Sequence, residues 1–85
     1  MNLLTVRIIS PKYTIFYGPA LSVSSTNSLG KFDILPEHAN FITITQNQPI
    51  VINQPSKRPL TFNFPIAIIY NYKNSVNIYT DIPLK

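Results

Sequence analysis

The stretch that decides the fold of this chain reads Ser28-Leu29-Gly30-Lys31-Phe32-Asp33-Ile34-Leu35-Pro36-Glu37-His38-Ala39-Asn40-Phe41. Its apolar centre, residues 32–35, predicts a short buried strand. Gly30 can adopt the positive φ of a tight entry turn. Pro36 has no N–H group to donate to a ladder, so strand pairing stops there. We therefore expect a strand, then a polar corner, then a new strand from Phe41.

The rest of the chain shows the period-two alternation of β-strands, and its eight prolines disfavour helices. Strands are predicted at residues 4–8, 13–17, 21–24, 32–35, 41–45, 50–52, 60–64, 66–72 and 75–80. Turns are predicted at Gly18-Pro19, at Gln46-Asn47-Gln48 and at the two-residue hairpin Lys73-Asn74. Pro65 restricts its neighbour to an extended conformation and is predicted to mark a bend or an edge. This number of short strands predicts an all-β sandwich or barrel.

The composition favours a subunit of a larger assembly. Only 12% of the 85 residues are charged, so much of the surface must be neutral or apolar. Apolar residues also fall out of phase with the core alternation at Leu3, Ile9, Phe41 and Ile69. We expect either the fold itself or, given the low charge, another chain to cover them. The net charge of +4 suits acidic partners or anionic lipid headgroups.

Several classes of protein are excluded or disfavoured by what the sequence lacks. The absence of cysteine excludes disulfides, thiolate zinc sites and a cysteine nucleophile. No apolar run approaches the ~20 residues of a membrane-spanning helix, and the first residues do not resemble a signal peptide. With two glycines, the chain has no phosphate-binding loop.

The single histidine, His38, is the obvious candidate for catalysis. Ser28, Asp33 and Glu37 could complete a triad or an acid–base pair with it, but their spacing does not place them around a cleft. One histidine and three scattered carboxylates make no credible metal set. We predict no catalytic, metal or cofactor site. We expect His38 to hydrogen-bond the loop backbone or to contact a partner.

Two other functions remain open at this point. A small basic β-barrel binding single-stranded nucleic acid would use Tyr70, Tyr72 and Tyr79 for stacking, with Lys73 and Lys57-Arg58 on phosphates. The basic and aromatic residues are not interleaved, which favours tyrosines paired across strands. A structural adhesion or assembly domain is the third possibility.

Seven positions of the opening stretch resemble the β-sandwich domain of the ε subunit of F-type ATP synthases, called δ in mitochondria. They are Gly30, Phe32, Ile34, Leu35, Pro36, His38 and Ala39. Residues 6–11 with 15–18, 21–25 and 75–81 resemble further strands of that domain. The resemblance selects a flattened two-sheet antiparallel β-sandwich of about nine or ten short strands, one domain over residues 1–85. Most members also carry a C-terminal helical hairpin; none is expected in these 85 residues, either because the hairpin is naturally missing or because the sequence is a fragment.

The resemblance implies a non-catalytic, cofactor-free subunit in the central stalk of a proton-translocating rotary ATP synthase. Such a subunit links the γ subunit to the c-ring and couples ring rotation to ATP synthesis. It binds no nucleic acid and meets the membrane only through the complex, on the cytoplasmic face of the energy-transducing plasma membrane. The matched motif is expected to shape the corner. Contacts with ring or stalk are predicted at Asn27, Ser28, Lys31, Glu37 and His38.

Overall fold

A computed structural model gives the fold of residues 2–81, which form seven strands and no helix. The strands are β1 (Leu4–Ile9), β2 (Thr14–Ala20), β3 (Ser22–Asn27), β4 (Gly30–Ile34), β5 (Phe41–Asn53), β6 (Leu60–Tyr72) and β7 (Ser75–Thr80). They join into one hydrogen-bonded sheet in the order β2-β1-β7-β6-β5-β3-β4. Every neighbouring pair is antiparallel except β1 with β7, which run parallel.

The two 13-residue strands, β5 and β6, fold this sheet into two layers. Along each strand every second side chain faces the core, and in both strands this alternation shifts by one residue at the same point. At that point Asn47, with φ 54°, lies across from Pro65. The register skips this pair, because Pro65 has no N–H group to donate. Residues 66–72 then pair with β7, while residues 51–53 pair with β3. The bend therefore lets one hairpin serve both layers.

Layer 1 consists of β2, β1, β7, residues 66–72 of β6 and residues 41–46 of β5. Layer 2 consists of residues 60–64 of β6, residues 48–53 of β5, β3 and β4.

The core lies between these layers. Its buried apolar residues are Leu4, Val6, Ile8, Ala20, Val23, Ile34, Ile50, Ile52, Phe64, Ala67, Ile69, Val76 and Ile78. Aromatic rings close both ends: Phe16 lies 5.9 Å from Phe62, and Phe32 lies 5.5 Å from Phe41, although neither pair shares a ladder. The predicted all-β sandwich is confirmed.

The strand count is lower than predicted, and the reason is the bend. The sequence predicts a turn at residues 46–48 and separate strands on either side of Pro65, whereas β5 and β6 continue through both positions. The bend, one of the two alternatives predicted at Pro65, is confirmed. Seven strands therefore replace the expected nine or ten. The sandwich is also not wholly antiparallel, because the first and last strands pair in parallel.

Gly18-Pro19 lies within β2 and does not form the predicted turn. β2 is an edge strand, so its outward N–H groups have no ladder partner and a proline is tolerated. The Phe16 ring covers Gly18: a Cβ atom there would lie 3.2 Å from Phe16 Cζ.

The predicted buried strand at 32–35 is instead an exposed edge strand. β4 pairs only with β3, and Ile34 is its one buried residue, while Leu35 after it is 52% exposed. Two predictions nearby are confirmed: Gly30 has φ 126°, and β5 begins at Phe41.

The β6–β7 turn has positive φ at both Lys73 and Asn74, as a two-residue hairpin of the predicted kind requires. The out-of-phase apolar residues have a simpler explanation than a second chain. Ile69 is fully buried and Phe41 packs against the core, because the inward phase of β5 and β6 changes at the bend. For these two residues the fold itself provides the cover.

Candidate interaction surface

The outer side of layer 1 carries a continuous apolar surface. Its members, named here the apolar face, are Ile42, Ile44, Ile66, Ile68, Tyr70, Tyr72 and Tyr79. They occupy alternate positions on β5, β6 and β7, and the register places Ile42 beside Tyr70 and Ile44 beside Ile68. Their exposure runs from 37% for Tyr70 to 65% for Ile42. A contiguous exposed patch of this kind marks an interaction site.

Charged side chains lie at the margins of the apolar face. Lys73 Nζ lies 5.3 Å from the ring centroid of Tyr72, at the β6–β7 turn. At the opposite end, Asp81 borders a hollow of about 230 Å³ together with Ile66, Ile68 and Tyr79. On the β1–β2 side, the Arg7 guanidinium lies 5.2 Å from the Tyr17 ring. The centre of the face is therefore uncharged and its ends are polar.

A groove of about 400 Å³ separates the β3–β4 turn from the apolar face. Asn27 and Ser28 line one side of it, and Ile44 and Ile66 line the other. Asn27 holds this turn in place: its Nδ2 donates to Thr43 Oγ1 at 3.0 Å, and its Oδ1 accepts the backbone N–H of the residue two positions on. Two of the predicted contact residues thus border a surface that was not itself predicted.

The polar corner, residues 35–40, is tied to the β6–β7 turn through Glu37 and Asn40. The Glu37 N–H donates to Asn74 Oδ1 at 2.7 Å, and Asn74 Nδ2 donates to the Glu37 carboxylate at 3.0 Å. Asn2 adds a third bond to the same carboxylate at 3.1 Å. Asn40 Oδ1 accepts the Lys73 N–H at 3.0 Å. Glu37, with φ 69°, is therefore a structural link as well as an exposed charge.

His38 lies within this corner and, with Glu37 and Lys73, lines an open hollow of about 350 Å³. Ser28 and Asp33, the other residues considered for a triad, do not line it. The His38 Nδ1 atom lies 2.8 Å from the Ala39 carbonyl oxygen, and the His38 ring meets the edge of Phe41 at 5.5 Å. Beneath it, the fully buried Asn71 donates through Nδ2 to the Ala39 carbonyl at 3.1 Å. Sequence reasoning did not single out Asn71. The sequence feature that could have identified it is an asparagine at a core-facing position of β6, two residues after Ile69.

The five predicted contact residues do not form one cluster. Asn27 and Ser28 border the groove, Lys31 is exposed on the edge strand β4, and Glu37 and His38 lie in the corner. The residues considered for a triad are also dispersed, since Asp33 accepts a hydrogen bond from Ser24 on β3. Within residues 2–81, no three histidine or carboxylate side chains come close enough to hold a metal ion.

The tyrosines and the basic pair considered for nucleic-acid binding lie far apart. Lys57 and Arg58 are in the β5–β6 loop, next to layer 2, whereas Tyr70 and Tyr72 lie beyond the bend on layer 1. None of the described residues forms a helix with the length and hydrophobicity needed to cross a membrane.

Comparison with known proteins identifies the family. The sequence profile described as ATP synthase, Delta/Epsilon chain, beta-sandwich domain matches residues 3–82. A curated relative, the ATP synthase epsilon chain of Sulfurimonas denitrificans, is 35% identical over 57 residues, which are 67% of this chain and 44% of the relative.

Solved structures share the fold. A chain of the Euglena gracilis mitochondrial ATP synthase (OSCP/F1/c-ring) superposes with a TM-score of 0.82 at 11% identity, covering 92% of this chain and 50% of that one. A chain of the Tetrahymena thermophila mitochondrial ATP synthase (central stalk/c-ring) gives 0.75 at 10% identity, covering 92% and 63%. None of these likenesses supports nucleic-acid binding. The chain spans about half the length of the relatives it matches, and it belongs to the β-sandwich domain family of the ATP synthase delta and epsilon chains.

Proposed function

We propose that this chain acts in the central stalk of a proton-translocating F-type ATP synthase, linking the γ subunit to the c-ring without doing chemistry itself. Family membership supports this assignment, and so do the relatives named as central-stalk and c-ring assemblies. The observation that carries it is the apolar face, because a contiguous exposed apolar patch of this kind suits the core of a contact with another protein. Residues 1–85 act as one domain, at the cytoplasmic face of the energy-transducing membrane.

The two kinds of surface suit two kinds of contact. The apolar face suits the dry, close-packed centre of a larger contact that extends onto neighbouring residues, so we assign it to the γ subunit. The polar positions Asn27, Ser28 and Lys31 lie on the β3–β4 hairpin, and Glu37 and His38 lie in the corner. These five suit polar loops of the ring or stalk, where contacts are wetter and weaker.

The fold suits the transmission of torque. β5 and β6 run through both layers, so a force on one layer reaches the other along continuous backbone as well as through the core. Close-packed interiors deform little under load. A domain built in this way can pass rotation from the ring to the stalk without shearing between its layers.

Co-purification with γ tests the assignment. Ile44→Lys places a charge at the centre of the apolar face and should reduce the γ recovered by about tenfold or more, because the ammonium would be buried unpaired. Thr61→Lys, on the outer side of layer 2, is the matched control and should retain γ. Both sites are exposed, so melting temperatures should stay near that of the wild type. Full recovery of γ with Ile44→Lys would refute the assignment of this face.

A further inference from the structure

We propose that the free chain associates with a second copy of itself through the apolar face, in an antiparallel two-fold arrangement ordered by Lys73 and Asp81. The first observation is the placement of these two charges. Lys73 precedes β7 and Asp81 follows it, so the strand separates them by about 25 Å. Lys73 lies against Tyr72 at one end of the face, and Asp81 lies beside Ile66 and Tyr79 at the other.

This arrangement is complementary to itself. A two-fold axis that lies in the plane of the interface, perpendicular to the strands and through the middle of the face, relates equal patches and turns the second copy end for end. Each Lys73 then faces the Asp81 of the other copy, and the contact occurs twice. A parallel arrangement would instead place like charges together. The charge pattern therefore selects the antiparallel dimer.

The side chains between these charges suit sheet-on-sheet packing. Isoleucine and tyrosine occupy alternate positions of β5 and β6, and Tyr79 adds one ring from β7. Layers of this kind pack face to face at about 10 Å. The side chains of one copy would enter the spaces between those of the other, as in the interior of a sandwich.

The extent of the face limits the strength of this dimer. Three strands about 20 Å long and about 4.8 Å apart give a patch of about 300–400 Å². A stable interface buries about 800 Å² on each partner. The dimer should therefore be weak and reversible, and should form only at high concentration.

A weak dimer would shield the face until a stronger partner arrives. This consequence rests on the proposed function, since γ would cover the same surface and the two complexes would exclude each other. Self-association itself does not depend on that assignment.

Sedimentation of the 85-residue chain tests the proposal without γ. The wild type should shift from monomer to dimer between about 10 µM and about 1 mM. Lys73→Asp and Asp81→Lys should each weaken the dimer about tenfold, because each makes both contacts repulsive. The double variant Lys73→Asp/Asp81→Lys should restore wild-type association. Aspartate is tolerated at the positive φ of position 73, so the turn should persist.

Lys57→Asp is the control, because it changes the net charge equally in a loop outside the face. It should associate as the wild type does. A monomeric wild type over the whole concentration range would overturn the proposal. So would single variants that associate normally, or a double variant that fails to recover. None of these results would alter the γ co-purification test, so the two proposals can fail separately.

Discussion

The two outer faces of the sandwich differ sharply although both cover the same core. On layer 1, isoleucine and tyrosine side chains point outward from three neighbouring strands. On layer 2, the outward positions are mostly serine, threonine and asparagine, together with others such as Lys31, Asp33 and Val51. Several of them bond to one another: Ser24 donates to Asp33, and Asn53 Nδ2 donates to Ser22 Oγ at 2.7 Å. The outer side of layer 2 is therefore stable in contact with solvent. The inward-facing residues thus determine the fold, and the outward-facing residues determine which face of the sandwich can bind another protein.

The largest expected effect separates the inner from the outer positions of layer 1. Ile69→Ala, at a fully buried site, should lower the free energy of unfolding by about 2–5 kcal/mol. Ile68→Ala, its exposed neighbour, should change it by less than about 0.5 kcal/mol. Urea unfolding followed by circular dichroism measures both. Equal losses would mean that the outer face contributes to the fold as much as the core does.

The next effect concerns the polar residue inside layer 1. Asn71→Ala removes the amide that donates to the Ala39 carbonyl and leaves that carbonyl without its buried donor. We expect a loss of about 1–3 kcal/mol in unfolding free energy. Asn63→Ala, at an exposed position on layer 2, is the control and should be nearly neutral. A neutral Asn71→Ala would show that the corner holds its shape without this bond.

A smaller loss is expected at the turn leading into layer 2. Gly30 has φ 126°, which L side chains rarely adopt, so Gly30→Ala should lower stability by about 1–2 kcal/mol although no heavy atom lies within 4 Å of the added Cβ. Thermal unfolding measures the loss. Gly30→Asn tests the cause, since asparagine accepts positive φ better than alanine. If both variants match the wild type, backbone conformation is not what selects glycine here.

The smallest effect on stability distinguishes two of the predicted contact residues. Lys31→Glu, on exposed β4, should leave unfolding free energy within about 0.5 kcal/mol while weakening assembly into the stalk. Glu37→Gln keeps the size of the side chain but weakens its bonds to Asn2 and Asn74, so a loss of up to about 1 kcal/mol is expected. Calorimetry and co-purification together separate the two roles. A Lys31→Glu variant that is less stable than the wild type but assembles normally would show that Lys31 is a structural residue and not a contact residue.

Local chemistry made parts of the fold predictable. Asn74 and Gly30 adopt the positive φ values that their residue types suggest, and Pro36 ends strand pairing as expected. The bend at Asn47 and Pro65 resembles a turn in sequence, because the same residues that end a strand can also bend one. A bend differs from a turn here only because β5 goes on to pair with β3 and β6 goes on to pair with β7. The pairing of β5 with β3 joins residues far apart in sequence, so local sequence patterns do not reveal it. The parallel β1–β7 ladder is equally invisible in local patterns.

The interaction surface was harder to predict than the fold. Residues 66–70 read Ile-Ala-Ile-Ile-Tyr, so both faces of β6 are apolar and alternation does not reveal which one is buried. The contact residues were chosen for their nearness to the motif, and of these Asn27 and Ser28 border the apolar face. The low charge of the chain correctly indicated a large neutral surface, but composition does not locate it.

The parallel pairing of β1 with β7 has a consequence for biosynthesis. β7 lies between β1 and β6, so the strand made last occupies the middle of layer 1. The β1–β2 hairpin emerges from the ribosome before the other described strands, yet within residues 2–81 its one further neighbour in the sheet is β7. Layer 1 therefore closes only after translation has passed Thr80, and the nascent hairpin must wait with an unpaired edge until then.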